Sequence, residues 1–220
     1  KIVSDELARL HGVPGERIRI VGIPHHDRYL ARSGMTREEL LRRLGGDPKK
    51  RLILYAPTGD RYLDANTIDR DMIEILHGLL PDTHQLLVRF PPADTVNLDG
   101  LRSLPGVIFD RPGVHMSKNP EFFKNNELSR EDDVRLAAEL AASDLVVAGP
   151  STIIIDAALF DRPIILVGFD GFRPRGYLDS IQRYYRYDHI QPILESGGVR
   201  LARAIDELKL FVSEYLVSPE

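Results

Sequence analysis

Short runs of aliphatic and β-branched residues alternate along this chain with longer stretches of helical period, and this alternation restricts the fold more than any other feature. Strand, helix, strand is the pattern of parallel strands joined by helical crossovers that cover one sheet. The expected strands are Arg17 to Val21, Leu52 to Tyr55, Gln85 to Arg89, Val107 to Phe109, Leu145 to Ala148 and Ile164 to Val167, with Val199 to Ala202 as a short seventh. The fold class is therefore α/β, a doubly wound parallel sheet, with 1–220 read as one domain.

The helices between these strands announce their ends. Thr36 to Glu39 has the spacing of a capping box, Leu40, Leu41 and Leu44 follow as an apolar stripe, and Gly45-Gly46 closes the helix. Ser129 with Asp132 forms a second cap before Val134 to Ala142, where Val134, Leu136, Ala137 and Leu140 can face the sheet. A last helix, about Leu201 to Leu216, carries Leu201, Ile205, Leu208, Phe211, Val212 and Leu216 at helical spacing. From Pro91 to Leu128, Pro92, Pro105, Pro112 and Pro120 break the chain into short pieces, which are expected to loop around the carboxyl edge of the sheet.

Composition removes several classes of function. With no cysteine among 220 residues there is no disulfide framework, no thiolate nucleophile and no Cys-ligated zinc, which fits a cytoplasmic setting. A net charge of -4 argues against a general nucleic-acid binder. The apolar runs Ile153 to Ile155 and Pro163 to Val167 fall far short of the roughly 18 residues of a membrane span. The chain opens on Lys1 rather than Met, in an amphipathic stretch unlike a signal peptide, so the expectation is a piece of a longer protein.

Chemistry concentrates between Ser143 and Val167. This segment reads as a buried strand, a tight turn Gly149-Pro150-Ser151-Thr152, an apolar helix and a second buried strand. Gly149 lets the backbone turn sharply and leaves room for a ligand; Pro150 suits the turn or the first helical position. Ser151 and Thr152 add hydroxyls to the free amides of a helix start, where the dipole favours an anion, so phosphate is the natural guest. Asp156 is four residues beyond Thr152 on the same helix face, placed to accept hydrogen bonds from a ribose if the phosphates sit at the turn. The alternative is that Ser151 merely caps the helix and Asp156 is a solvated acid.

The pattern Ser143-Asp144, apolar strand, Gly149-Pro150-Ser151-Thr152, Asp156, Arg162-Pro163 resembles the carboxyl-terminal half of GT-B glycosyltransferases and the related CDP-glycerol glycerophosphotransferases and UDP-N-acetylglucosamine 2-epimerases. Arg19 to Pro24 followed by Asp27 resembles the first strand and turn of that Rossmann-like half. Leu54-Tyr55-Ala56-Pro57-Thr58 resembles its second strand and donor-site loop, and Tyr187 to Leu216 its ending. The resemblance implies that Ser151 and Thr152 contact a diphosphate and Asp156 the ribose. It places Thr58, Gly59, Asp60 and Arg61 along the pocket, with Arg61 offering charge to the phosphates. It also implies a missing amino-terminal acceptor domain and an isolated chain that turns over little. One departure is plain: where glycerophosphotransferases carry Lys or Arg, an apolar residue and then His-Pro, this chain has Val88-Arg89-Phe90-Pro91-Pro92, with Phe90 or Pro91 at the histidine's place, leaving Arg89 to supply positive charge.

Other residues weigh less. His25 and His26 follow the first turn, and His25 is the candidate acid or base; His115 lies in the proline-broken stretch. Asp170 and Gly171, in the loop after the last regular strand, are donor-site candidates by resemblance only. The Arg and Tyr mixture from Phe172 to Tyr187 reads as a solvated helix with aromatic packing, though it could also touch anionic lipid. Asp132-Asp133, Glu38-Glu39 and Asp69-Arg70-Asp71 read as helix starts, so no metal is required. The reading is the donor-binding half of a glycosyltransferase that moves a sugar from a nucleotide-diphosphate donor to an envelope or surface-glycan acceptor. It needs no cofactor and would work in the cytoplasm at the inner face of the membrane. Alternatives are CDP-glycerol-type transfer, UDP-sugar 2-epimerisation and a non-catalytic nucleotide-binding scaffold.

Overall fold

The computed structural model describes residues 2–30, 34–60, 63, 66–92, 96–115 and 126–218. After the helix α1 (Ile2–His11), a 3-10 turn at Gly15–Arg17, a second at Pro24–His26 and the short α2 (Asp27–Leu30) come the regular layers. These are α3 (Arg37–Leu44), β1 (Arg51–Ala56), α4 (Ile68–Leu79), β2 (His84–Arg89), β3 (Val107–Asp110), a small hairpin of β4 (Val114–His115) and β5 (Asn126–Glu127), α5 (Arg130–Ala142), β6 (Leu145–Ala148), α6 (Ile153–Leu159), β7 (Ile164–Val167), α7 (Gln191–Glu195), β8 (Arg200–Ala202) and α8 (Ile205–Val217).

Six strands form one sheet in the order β3-β2-β1-β6-β7-β8, and every neighbouring pair is parallel. Counting only these six, the order is 3-2-1-4-5-6, the doubly wound Rossmann arrangement that reverses between its first and fourth strands. Side chains alternate across β1: Ile53 and Tyr55 join α4 and α8 on one face, while Leu52, Leu54 and Ala56 join α3, α5 and α6 on the other. Ile68, Met72, Ile73, Leu76, Leu208 and Val212 fill the first layer, and Leu40, Leu41, Ala138, Leu140, Ile154 and Ala157 fill the second.

Both caps form as their spacing predicts. Thr36 and Glu39 bond reciprocally at the start of α3, and Gly45 ends that helix in the left-handed region at φ 77°. Ser129 and Asp132 do the same for α5.

Three expectations need correction. Arg17 to Val21 is no strand: the chain leaves the Gly15–Arg17 turn and runs outside the sheet, with Ile20 69% and Val21 78% exposed. Alternating isoleucines supply the strand pattern, but a strand also needs an edge to pair with, and the sheet's first strand is β1. Leu201 belongs to β8 rather than to the last helix, because Leu201 and Ala202 pair with Leu166 and Val167. The Phe172 to Tyr187 stretch holds two 3-10 turns, Tyr177–Asp179 and Ile181–Arg186, instead of an α-helix, and buries Ile181 and Tyr185. Among the described residues no helix is long and apolar enough to cross a membrane.

Candidate functional site

In an open parallel sheet the place where strand order reverses leaves a crevice outside the carboxyl ends of two neighbouring strands. Here those strands are β1 and β6, and the residues that follow them are Pro57-Thr58-Gly59 and Gly149-Pro150-Ser151-Thr152. A cleft of about 190 Å³ opens there, walled by Ala56 and Pro57, by Arg89 to Pro92 after β2, by Ser151, Thr152, Ile153 and Asp156, by Asp132, Asp133 and Leu136 of α5, and by Leu128 and His25.

The turn after β6 is open toward this space. Thr152 is the N-cap of α6, but its backbone is helical (φ -65°, ψ -19°) and no side chain caps the helix, so neither Ser151 nor Thr152 acts as a simple cap. Among the described residues the amides of Ser151, Thr152 and Ile153 find no protein acceptor. Gly149 is favoured by packing: a Cβ there would collide with Thr58 Oγ1 and stand 3.4 Å from Thr58 Cβ.

The loop after β1 is held from below. Asp69, in the first turn of α4 and 1% exposed, accepts hydrogen bonds from the Tyr55 hydroxyl (2.7 Å), the amides of Thr58 (2.9 Å) and Gly59 (2.8 Å), and Asn66 Nδ2 (2.7 Å). The Thr58 and Gly59 amides are thus engaged within the protein rather than offered to a ligand. Burial, with Asp69 beside it, raises the Tyr55 hydroxyl well above its ordinary pKa and keeps it a donor. Asp60 continues this loop, and Arg61 lies outside the described residues.

Arg89 reaches the cleft, yet its charge is largely neutralised. Its Nη1 lies 2.7 Å from Asp110 Oδ2 and 2.5 Å from Glu139 Oε2, and Arg135 joins Asp110 (3.1 Å) to Asp132 (2.6 Å). Burial alone would raise Asp132, but bonds from Ser129 and Gly113 and the nearby Arg135 bring it down to about 2. Phe90, one of the two residues expected at the place of the family's histidine, is buried between Phe109 and the Arg111 guanidinium, 4.0 Å above its ring.

Glu139 is fully buried and its Oε1 has no hydrogen bond among the described residues. Burial pushes its carboxyl up to about 8 from 4.5; Arg89 opposes the rise and Asp110 adds to it. Because the folded value is the higher one, this group's stabilisation is complete below the unfolded value and is lost as pH climbs through about 8. Glu139→Gln, which mimics the protonated form, is expected to melt with the parent near pH 5 and increasingly above it as pH rises, by roughly 2–4 °C per kcal/mol. Parallel melting curves across that series would remove the buried acid from this description.

The segment Pro24 to Leu30 forms the outer wall. His25 and Arg28 pair with Asp133, the histidine at 3.9 Å, while His26 Nε2 (3.3 Å) and the Tyr29 hydroxyl (3.1 Å) both meet Asp156 Oδ1. Tyr29 also packs edge-on to Phe160. Asp156 is therefore no solvated acid: burial raises its carboxyl, against the pull of Tyr29 and His26.

Of the residues singled out in the sequence, the cleft brings together His25, Arg89, Ser151, Thr152 and Asp156, with Gly149 and Pro150 shaping its turn. Asp170 and Gly171 are used elsewhere. Asp170 accepts from Ser180 Oγ, Ile181 N and Arg175 N, and Gly171, at φ 83°, lies against Asp71. His115 lies on β4. The pairs Ser143-Asp144 and Arg162-Pro163 lie at the opposite edge, where Asp144 accepts from Leu52 N and Arg162 donates to Ser143 O. Asp69, Asp133 and Tyr29 are additions that sequence reading missed; their only signal was an acid in a first helical turn or an aromatic near a proline turn. No group of three or more His, Asp or Glu side chains arranged for a metal occurs among the described residues.

Comparison with known proteins bears on the fold and the family. No curated protein matches at a significant level. The UDP-GlcNAc 2-epimerase of Neisseria meningitidis, solved with UDP-GlcNAc bound, superposes with a TM-score of 0.61 at 11% identity, covering 100% of this chain and 51% of that one. The UDP-GlcNAc 2-epimerase of Methanocaldococcus jannaschii gives 0.62 at 13%, covering 100% and 54%. The wall teichoic acid polymerase TagF gives 0.51 at 16%, covering 97% and 48%. The chain spans about half the length of each, and the likeness shows a shared GT-B-type Rossmann-like fold. The family model of CDP-glycerol:poly(glycerophosphate) glycerophosphotransferases matches residues 2–179, most of the chain, and so this protein belongs to that family.

Proposed function

We propose that this chain is the donor-binding half of a transferase that moves a glycerophosphate group from a nucleotide-diphosphate donor to a hydroxyl of an envelope polymer. The observation that carries the reading is the open Ser151-Thr152 turn facing a cleft at the sheet's switch point, in a chain of this family. The donor's diphosphate lies against the amides of Ser151, Thr152 and Ile153. Asp156 lies one helical turn deeper, where a ribose would share it with Tyr29 and His26. His25, on the cleft wall beside Asp133, is the group that can pass a proton. The acceptor and the remaining catalytic groups come from another part of a longer protein, which works at the cytoplasmic face of the membrane.

Sugar transfer, the reading the sequence first favours, remains the second reading because Phe90-Pro91 replaces the His-Pro of glycerophosphotransferases. The two differ in what leaves. Attack on the phosphorus nearer glycerol in CDP-glycerol releases CMP, whereas attack on the anomeric carbon of a UDP-sugar releases UDP. Full-length protein given each donor with membrane acceptor is expected to form CMP from CDP-glycerol. UDP without CMP would support sugar transfer, a C2 epimer of UDP-GlcNAc would support epimerisation, and no product from any donor would favour a scaffold.

A further inference from the structure

We infer that Asp69 is the positioning residue of this donor cleft, acting through Thr58 on the turn at Gly149; the inference rests on the donor-site reading above. The carboxylate is nearly inaccessible and takes four hydrogen bonds, two from the consecutive amides of Thr58 and Gly59, one from Tyr55 on β1 and one from Asn66. Asn66 is itself fixed, donating also to Gly59 O (3.1 Å) and accepting from Ile68 N (3.0 Å). A carboxylate gripped from three directions holds its loop more tightly than an apolar contact could, because each bond is charge-assisted and shielded from water.

That grip bears on Gly149. Thr58 is pressed on Gly149 so closely that a single added methyl would meet its hydroxyl, and Gly149 N bonds back to Ala56 O (3.4 Å). The Thr58 hydroxyl is buried and has no hydrogen-bond partner among the described residues. On the far side, Ile181 lies 3.5 Å from the same Cβ position, and its amide is held by Asp170. Gly149 is thus set between two loops, each tethered by a buried carboxylate, and the orientation of the following amides depends on Thr58 staying in place.

A double-mutant cycle read by calorimetry with CDP tests this. Asp69→Asn puts an amide group against amides, and Gly149→Ala drives a methyl into Thr58. Each is expected to weaken CDP about tenfold, but in the Asp69→Asn background the Gly149→Ala penalty should shrink to about threefold or less, because the loop is free to yield. Adding Thr58→Ala to Gly149→Ala, which removes the obstructing hydroxyl, should restore most of the affinity.

A folded Asp69→Asn protein with parental affinity, or a Gly149→Ala penalty equal in both backgrounds, would overturn the inference. If Asp69→Asn fails to fold, Tyr55→Phe and Asn66→Ser each remove one bond to the same carboxylate. Both are expected to weaken CDP about threefold, and parental affinity in both would overturn it equally. A parent that binds no CDP overturns the donor-site reading and this inference with it, whereas binding by parent and Asp69→Asn alike sinks this inference alone.

Discussion

Exchanging Arg89 for methionine is expected to destabilise the protein by roughly 3–5 kcal/mol, the largest stability change predicted from this structure. Its guanidinium is 6% exposed and is shared by two carboxylates, Asp110 and Glu139. Removing it leaves two buried acids with only Arg135 to face one of them, and the cost of a buried charge without a partner exceeds the value of the original pair. The loss falls toward the lower figure where Glu139 takes up a proton, so it should be smaller near pH 6 than near pH 9, with Glu139's carboxyl already pushed up to about 8 in the parent. Replacing Arg89, Asp110 and Glu139 together by apolar residues of similar volume should recover most of the stability. Urea unfolding of the parent, the single variant and the triple variant measures both effects, and a single variant within about 0.5 kcal/mol of the parent would mean the cluster is solvated in solution.

Ser151→Asp is expected to weaken nucleotide-diphosphate binding at least about a hundredfold, with melting temperature little changed. The substitution fixes a negative charge where a phosphate is proposed to sit. Two unit charges about 4 Å apart near a protein surface repel by roughly 4 kcal/mol, and the new carboxylate would also occupy the free amides itself. Ser151 is half-buried at the cleft edge and its side chain holds no other residue among the described ones, so the fold has little to lose. Calorimetric titrations with CDP, UDP and GDP read the effect, and equal affinity in parent and variant would move the phosphate site away from this turn.

The layered architecture was legible because burial on both faces leaves a local trace. Leu145 to Ala148 and Ile164 to Val167 are unbroken aliphatic runs, and β6, α6 and β7 fall where the sequence places them. Thr36 with Glu39 and Ser129 with Asp132 were readable for the same reason, since a capping box needs only neighbours three residues apart. The false strand at Arg17 to Val21 shows the limit: alternation reports a side-chain pattern, whereas strand pairing depends on an edge supplied by distant sequence.

Parts of the site were hidden by the same logic. Asp156 was legible as a helix-face acid near the turn, but its partners His26 and Tyr29 lie about 130 residues earlier, and nothing local links them. Asp69 follows Thr67 in a first helical turn, where an acid that favours the dipole and an acid that ties a loop have the same spacing. Arg89 looked like free positive charge because Asp110 and Glu139, its neutralising partners, sit 21 and 50 residues away.

The most direct test is a crystal structure of this protein soaked with CDP. The account predicts phosphate oxygens within hydrogen-bond distance of the Ser151 and Thr152 amides, in the cleft between Pro57 and Asp156. Nucleotide bound at another face of the sheet, with that turn unoccupied at saturating CDP, would contradict it.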